Sequence, residues 1–422
     1  MSRSEEDQPL LVPTGAAWSL AGFVVIGLSG LAITIVIENG FDVDSLGRFN
    51  VLLSIVLITG QVGTAGRHAA LLFMTPSAVS AGEPTAAILK QAVRAVIPTA
   101  VGVALAVVGP GCVALTVSGS EEYRTGLLLI TPALTLYPVN KVLASHLNGL
   151  RRIRAFSSVT AGRFMAIVIG LLIANATGVS GTWLPAVISV AEIVVAIGAL
   201  AALRSELWNV ASRRAGPELS RYGRQLLIGG LLLDLSTRID VLALGALAGP
   251  RAVGEYSVAS VFGEGLYQLA IVVRLAIDPV VTQLHDQGRH DELRAMVHRI
   301  QRRVVVGVTT VGVLSIVAYG TVTSIAYGDE IASSTFAPYA ILAVGVMLAS
   351  PYIPFTNFFQ QTGRPSLHSV MLASATATNL VLNLVLVPPF GTVGAAIATA
   401  VSWSVFGLVL RAKSGGVIGP RG

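Results

Sequence analysis

Eight of the charged side chains inside the long apolar stretches of this chain sort into two chemistries. Arg67, Arg163, Arg238 and Arg274 are guanidinium groups, which pair bidentately with phosphate oxygens and so suit a cleft that handles a phosphate-bearing ligand. Asp234, Asp240, Glu192 and Glu264 are carboxylates, which at membrane depth can take up a proton or a cation and so couple a gradient to movement. A charge within hydrocarbon costs roughly 2.5–3.5 kcal/mol on insertion scales, so each one demands an explanation.

Each also has a plainer reading. Arg67 and Arg274 fall near the C-terminal ends of their expected helices, where a cation suits the dipole and can snorkel. Arg274 has Asp278 four residues on, while Arg67 has no acidic residue at i±3 or i±4. Asp234 and Arg238 are one turn apart and can pair as a structural lock. Asp240 lies roughly 200° round a continuous helix from Arg238 and must look elsewhere. The matching stretch of the first apolar block, Gly27 to Ile33, carries no charge, which makes this seventh block the best place for a coupling-ion site. Glu192 and Glu264 could carry protons, or could neutralise Arg163 or Arg238 across helices. Lys141 completes the set. His68 and His146 read as satisfied interfacial histidines, and Asn379 and Asn383, one turn apart, as interhelical hydrogen-bonders.

The elements that must hold these groups are apolar blocks of about 20 residues, long enough to cross the ~30 Å core of a bilayer as helices. The chain has 422 residues, 53% hydrophobic and 12% charged, with a mean hydropathy of +0.75. Twelve blocks are expected, at roughly 14–37, 49–73, 94–117, 125–147, 155–176, 183–203, 226–248, 257–282, 304–327, 335–360, 366–387 and 391–411. The net charge of +6 does not point to nucleic acid. Lys and Arg gather in the tails and even-numbered gaps, and only Arg48, Arg124 and Arg251 fall in odd-numbered gaps. By the positive-inside rule both termini are then cytoplasmic. The polar, acidic N-terminus and long first block read as an uncleaved first helix, not a signal peptide.

At a fixed offset of 207, Leu46-Gly47-Arg48-Phe49-Asn50-Val51 runs parallel to Val253-Gly254-Glu255-Tyr256-Ser257-Val258. Gln61 then falls on Gln268, and Arg67 on Arg274. The offset is about half the chain, which suggests a parallel internal repeat and two six-helix lobes, 1–215 and 216–422, flanking a cleft. Gly216-Pro217 marks the link. Asp286–Arg303 reads as an amphipathic helix, with Leu293, Met296, Val297 and Ile300 on one face, suited to an anionic membrane surface or standing as a plain solvated loop helix. Prolines at 98, 132, 138, 279, 351 and 354 mark bends, with Pro351-Tyr352-Ile353-Pro354 the strongest break.

No catalytic constellation, Walker loop or Cys/His metal cluster is present in the sequence, so neither an enzyme nor a cofactor is expected. The single cysteine, Cys112, reads as a small core residue. No outer gap is long enough for a folded catalytic domain, which argues against a sugar transferase or polymerase. A non-transporting scaffold does not account for the charges of the seventh block.

Leu46-Gly47-Arg48-Phe49, Arg238-Ile239-Asp240-Val241 running into Gly254–Ala259, Gly363-Arg364-Pro365, Asn379, Asn383, Pro388-Pro389-Phe390-Gly391 and Gly394–Thr399 together resemble the multidrug/oligosaccharidyl-lipid/polysaccharide exporter superfamily, in its Wzx-like polysaccharide flippase branch. The resemblance covers almost the whole chain. It implies an all-α polytopic membrane protein, with twelve transmembrane helices in two six-helix bundles forming a MATE-like V. It also implies export of an isoprenoid-diphosphate-linked oligosaccharide across the bacterial cytoplasmic membrane by alternating access, driven by a proton or sodium gradient or by voltage. The expected partners are that lipid-linked substrate, membrane lipids and other polysaccharide-assembly membrane proteins. Arg67, Arg163, Arg238 and Arg274 could supply the cationic cleft of that branch. Twelve spans, not the fourteen usual in lipid II flippases, argue against that sub-branch. A first helix without an acidic residue argues, less strongly, against the drug exporters. A proton- or sodium-coupled drug or cation antiporter of the same fold is the alternative.

Overall fold

In the computed structural model residues 14–208 and 218–418 are described, and all regular structure among them is helical. In chain order the helices are α1 (Thr14–Gly40), α2 (Val43–Thr64), α3 (Arg67–Ser80), α4 (Thr85–Val117), α5 (Glu121–Leu129), α6 (Thr131–Gly149), α7 (Ile153–Ala176), α8 (Ala186–Ala202), α9 (Arg204–Trp208), α10 (Glu218–Ser236), α11 (Ile239–Leu247), α12 (Pro250–Asp286), α13 (His290–Tyr327), α14 (Asp329–Ala349), α15 (Phe358–Gln361) and α16 (Pro365–Lys413). The Gly216-Pro217 link lies outside the described residues.

Contacts divide the chain into two compact units. The first holds the described residues of Met1–Ile33, Thr59–Gly178 and Pro185–Leu227. The second holds Thr34–Ile58, Val179–Leu184 and the described residues of Ile228–Gly422. A division at 215/216 is one by sequence repeat, and the division by contact differs from it over 34–58, 179–184 and 218–227. The first unit packs around Leu71, Leu89, Val96, Val142 and Leu147 of α3, α4 and α6. The second has two cores, one around Leu266, Val308, Tyr319, Tyr339 and Val346, the other around Val281, Leu293, Val297, Phe359, Met371 and Leu410.

The offset of 207 recurs in the helices. α2 starts at Val43 and α12 at Pro250, and α3 and α12 end near matching positions, at Ser80 and Asp286. Within the second unit the two repeated glycines meet. A Cβ on Gly47 would lie 1.8 Å from the Pro250 carbonyl oxygen, and one on Gly254 would lie 2.1 Å from that of Val43. Only glycine lets two helix backbones approach so closely. Leu46, Phe49, Val253 and Tyr256 beside them are fully buried.

By length and apolarity nine described helices can cross a bilayer, or ten if the bent pair α5–α6 is one span. Two local features change how the described helices compare with the expected twelve blocks. The 49-residue α16 is not straight, because Gly391 has φ 53° and ψ −127°. Asn379 Nδ2 lies 3.3 Å from Ser402 Oγ, although a straight helix would separate residues 23 apart by ~35 Å. The element is therefore a hairpin of two antiparallel helices, matching the blocks expected at 366–387 and 391–411. The seventh block is broken in two: α10 ends at Ser236 and α11 begins at Ile239, with Arg238 at φ −134° and ψ −5° between them. The 200° angle from Arg238 to Asp240, which assumed one helix, does not apply.

Two further expectations are corrected. The second block is not one helix, because Ala65 and Gly66 take left-handed φ of 47° and 72°. The Thr64 hydroxyl, bonded to the Gln61 carbonyl, also accepts the Gly66 N–H and so competes with the helix ladder. Arg67 consequently opens α3 and does not close a helix, so the dipole no longer explains its charge. The amphipathic stretch at 286–303 is the end of α12 and the start of α13, and Leu293 and Val297 are 0% exposed in the protein core. That apolar face is already buried and is not free to enter a membrane surface. The break at Pro351–Pro354 is present: α14 ends at Ala349 and a single 3₁₀ turn follows at Ile353–Phe355.

Candidate functional site

In the first unit Arg163 and Glu192 are used on each other. Arg163 on α7 donates from Nε to Glu192 Oε1 on α8 at 2.5 Å, and from Nη2 to Oε2 at 3.3 Å. Asn140 on α6 donates to the same Oε2 at 2.8 Å, and the guanidinium sits 4.7 Å from the Tyr137 ring centroid. With side chains 12% and 2% exposed, the pair is a desolvated, bidentate lock joining three helices. Of the two sequence readings of Glu192, the one the structure places is the partner of Arg163. Lys141 Nζ donates to Gln61 Oε1 at 2.6 Å. His146 and His68 are held by Thr75 and Thr64, at 3.1 and 3.0 Å.

Arg67 is held differently. Its Nη1 makes only long contacts, 3.4 Å each, to the Thr64 carbonyl and to Thr99 Oγ1. Its Nε is buried without a partner. Arg224 on α10 is close enough for the two cations to repel. In sequence Arg224 lies just before the seventh block, 157 positions from Arg67, and Gly66 packing on the Gly223 carbonyl brings it within reach. A guanidinium that is half-buried, under-bonded and beside a second cation is an anion-binding arrangement.

The second unit encloses a cavity of about 600 Å³, lined by residues of α10–α12, α14–α16 and the 3₁₀ turn between α14 and α15. Arg238, Asp240, Glu264 and Arg274 all line it, whereas Asp234 does not. One end is a polar chain. Asp240 Oδ1 accepts the Val241 N–H at 2.8 Å and Oδ2 accepts the Tyr256 hydroxyl at 2.6 Å. The Tyr256 oxygen lies 3.2 Å from Thr399 Oγ1, which in turn is near Asn379 Nδ2, and Asn383 donates back to Asn379. The hairpin of α16 is what brings Asn379 opposite Thr399 and Ser402. A carboxylate among hydroxyls and amides at a helix break offers hard oxygen ligands to a cation, or a proton acceptor.

At the other end Arg274 donates from Nη1 to Thr356 Oγ1 at 2.9 Å, while its Nε is buried without a partner. Asp278, expected to pair with Arg274, accepts instead from Asn357 Nδ2 at 3.0 Å. Thus Arg67 and Arg163 belong to the first unit, Arg238 and Arg274 to the second. The sequence reading missed Tyr256, Tyr267, Thr399, Ser402 and Trp403 as cavity residues, although Tyr256 and Thr399 lie inside the motifs that carried the family resemblance. Among the described residues no group of three His, Cys, Asp or Glu could hold a metal ion.

Residues 15–285, more than half of the chain, match the family model described as polysaccharide biosynthesis protein. The chain belongs to that family. Residues 226–385 of this polysaccharide biosynthesis protein also match the MatE model. Among curated proteins it is 26% identical over 187 residues to the probable flippase AglR of Haloferax volcanii, covering 42% of this chain and 37% of that one. It is also 26% identical over 195 residues to an uncharacterised membrane protein, MJ1068, of Methanocaldococcus jannaschii, covering 46% and 38%. The matched stretch thus spans less than two fifths of the length of these curated relatives. Among solved structures it resembles an inward-facing MATE-family multidrug resistance transporter (TM-score 0.73, 12% identity, covering 93% and 96%). It also resembles the lipid II flippase MurJ (TM-score 0.69, 12% identity, covering 94% and 87%). At such identity these likenesses establish the fold, which is the all-helical, polytopic fold of the multidrug/oligosaccharidyl-lipid/polysaccharide exporter superfamily.

Proposed function

We propose that this polysaccharide biosynthesis protein is a flippase that moves an isoprenoid-diphosphate-linked oligosaccharide across the cytoplasmic membrane, bacterial on the sequence reading, by alternating access for surface polysaccharide assembly. The observation that carries the reading is the state of Arg67 and Arg274. They match at the 207-residue offset of the sequence, although Arg67 opens α3 and Arg274 lies within α12, and each keeps a buried guanidinium Nε without a protein partner. A diphosphate would supply the missing acceptors, because a charge-assisted bidentate contact satisfies Nε and Nη together. Arg238 shares the cavity of Arg274 and adds to its cationic lining, whereas Arg163 is spent on Glu192 and serves the reading as a scaffold. Asp240, with Glu264 facing the same cavity, is the coupling-ion candidate. Membrane lipids and other assembly proteins are its expected partners, and both termini are assigned to the cytoplasm.

The alternative, a proton- or sodium-coupled drug or cation antiporter, draws on the same Asp240 and Glu264 and on the aromatic residues beside them. The cavity holds two carboxylates as well as two arginines, so its formal charge does not choose the cargo; the under-bonded Arg274, at the end away from Asp240, favours an anionic group there.

The test is export in a matched flippase-deficient strain, comparing wild type with Arg67→Ala and Arg274→Ala at equal membrane expression. Rescue by wild type and loss in both variants supports phosphate handling. Rescue by all three leaves a flippase in which those arginines are anchors. No rescue by wild type, together with drug efflux, moves the reading to the antiporter.

A further inference from the structure

The cavity of the second unit has chemistry beyond its charges, in an ordered sequence along α12. Tyr256, Glu264, Tyr267, Gln268 and Arg274 all line it. At 1.5 Å per residue, Tyr256 and Arg274 are about 27 Å apart along the axis, so the Asp240 end and the Arg274 end are separate places. Tyr267 stands about 10 Å short of Arg274 on the same scale. It stacks on Trp403 of the α16 hairpin, with centroids 5.5 Å apart and planes at 28°. Both rings are only partly buried and both line the cavity, so together they form an aromatic platform on its wall. Gln268, the next residue after Tyr267, and Gln360 line the same cavity. At the Arg274 end, His368 also lines the cavity, and its Nδ1 is buried without a partner, as is Arg274 Nε.

An aromatic face, planar amides and an under-bonded guanidinium rooted about 10 Å along the helix, from which a long arginine side chain can reach back, make a specific combination. A pyranose presents an apolar C–H face that lies flat on an aromatic ring and a rim of hydroxyls that amides can bind both as donors and as acceptors. An acyl chain in the same place would leave Gln268, Gln360 and Arg274 desolvated and unpaired, at a cost of roughly 1–3 kcal/mol for each neutral group and more for the charge. A bare anion would account for Arg274 and His368 but not for the platform. At about 600 Å³ the cavity also falls within the ~300–1,000 Å³ typical of small-molecule sites.

We propose that the second unit carries a saccharide-phosphate subsite, with a sugar ring on the Tyr267–Trp403 platform, its hydroxyls on Gln268 and Gln360, and the adjoining phosphate on Arg274 and His368. The inference rests on the flippase reading and deepens it. It assigns the first sugar of the lipid-linked chain, with its phosphate, to the second unit, and leaves Asp240 and its hydroxyl–amide chain free for coupling at the far end.

The test uses the full chain purified in detergent, with Trp18, Trp183 and Trp208 replaced by Phe so that Trp403 is the sole reporter. The probes are glucose 1-phosphate, galactose 1-phosphate and N-acetylglucosamine 1-phosphate, against free glucose and inorganic phosphate. A saturable change in Trp403 emission with at least one sugar phosphate is expected, weakened about tenfold or more by Tyr267→Leu and by Arg274→Gln. Inorganic phosphate should bind weakly, be lost in Arg274→Gln and be unaffected by Tyr267→Leu. Calorimetric titration of the unmodified protein with the same probes gives a second readout if the triple Phe variant does not fold. No saturable binding of any sugar phosphate, or binding indifferent to both substitutions, overturns the proposal. Export separates the two ideas. Export by wild type that survives Tyr267→Leu with Trp403→Leu sinks the subsite and spares the flippase. Sugar-phosphate binding without export by wild type sinks the flippase and spares the subsite.

Discussion

Glu192→Gln separates a structural carboxylate from a coupling one. In the folded protein Glu192 accepts two bonds from Arg163 and one from Asn140, and its side chain is 2% exposed. Glutamine keeps the shape but removes the charge. It also exchanges one acceptor oxygen for a donor, so either Arg163 or Asn140 faces an N–H where it had an acceptor. Removing one partner of a buried ion pair costs about 3–5 kcal/mol, because the remaining charge stays desolvated. For a unit of this size that corresponds to a fall in melting temperature on the order of 10 °C. Arg163→Met combined with Glu192→Leu should recover much of the loss, since replacing both ions by apolar groups is often close to neutral. The assay is the fraction of monodisperse protein in detergent after a heating series, run beside export at equal expression. If Glu192→Gln melts with wild type yet exports nothing, the lock is not what Glu192 is for, and it is a titrating group in the transport cycle.

Tyr256→Phe removes one bond to the Asp240 carboxylate, worth about 1.5–3 kcal/mol; the protein should remain folded while its export becomes more sensitive to external pH or sodium, measured in vesicles with imposed gradients. Gly391→Ala should destabilise by roughly 1–3 kcal/mol, because alanine is strained at φ 53° and ψ −127°, and the loss is read by the same heating series. Gly47→Val and Gly254→Val should each abolish folded protein or trap one conformation, as judged by monodispersity and by cysteine accessibility, since a Cβ there overlaps backbone. Val297→Asp should lower the yield of folded protein in detergent and in lipid alike, a test of its burial in protein rather than at a membrane surface.

Sequence periodicity reads burial well and geometry poorly, and particular residues show why. Apolar blocks locate the helices because a bilayer core requires ~20 apolar residues per span. The Pro351–Pro354 break was legible because proline removes an N–H from the ladder. The breaks at Ala65–Gly66 and Thr237–Arg238 were not, because two non-helical residues leave a 20-residue hydropathy average unchanged. They changed the reading most, turning Arg67 from a helix-closing cation into one that opens α3. The face of Leu293 and Val297 was identified correctly and its destination was not, since a hydrophobic period is the same whether it meets lipid or protein. Glu192 and Arg163 were each recognised as costly. Their pairing across 29 residues was one of two open alternatives, and only packing could choose. Tyr267 and Trp403 carried no signal because an aromatic residue in an apolar span looks like core until a cavity opens beside it.

On the repeat reading of the sequence, the contact between Gly47 and Gly254 also bears on how two copies of one segment would age. Little identity is left between Leu46–Leu72 and its counterpart, and Gly47 with Gly254 is one of the few matches that remain. Where the copies touch each other, every substitution in one is judged by the backbone of the other, and neither can enlarge without the other giving way. On the repeat reading of the sequence, mutual contact is what holds this one identity in place.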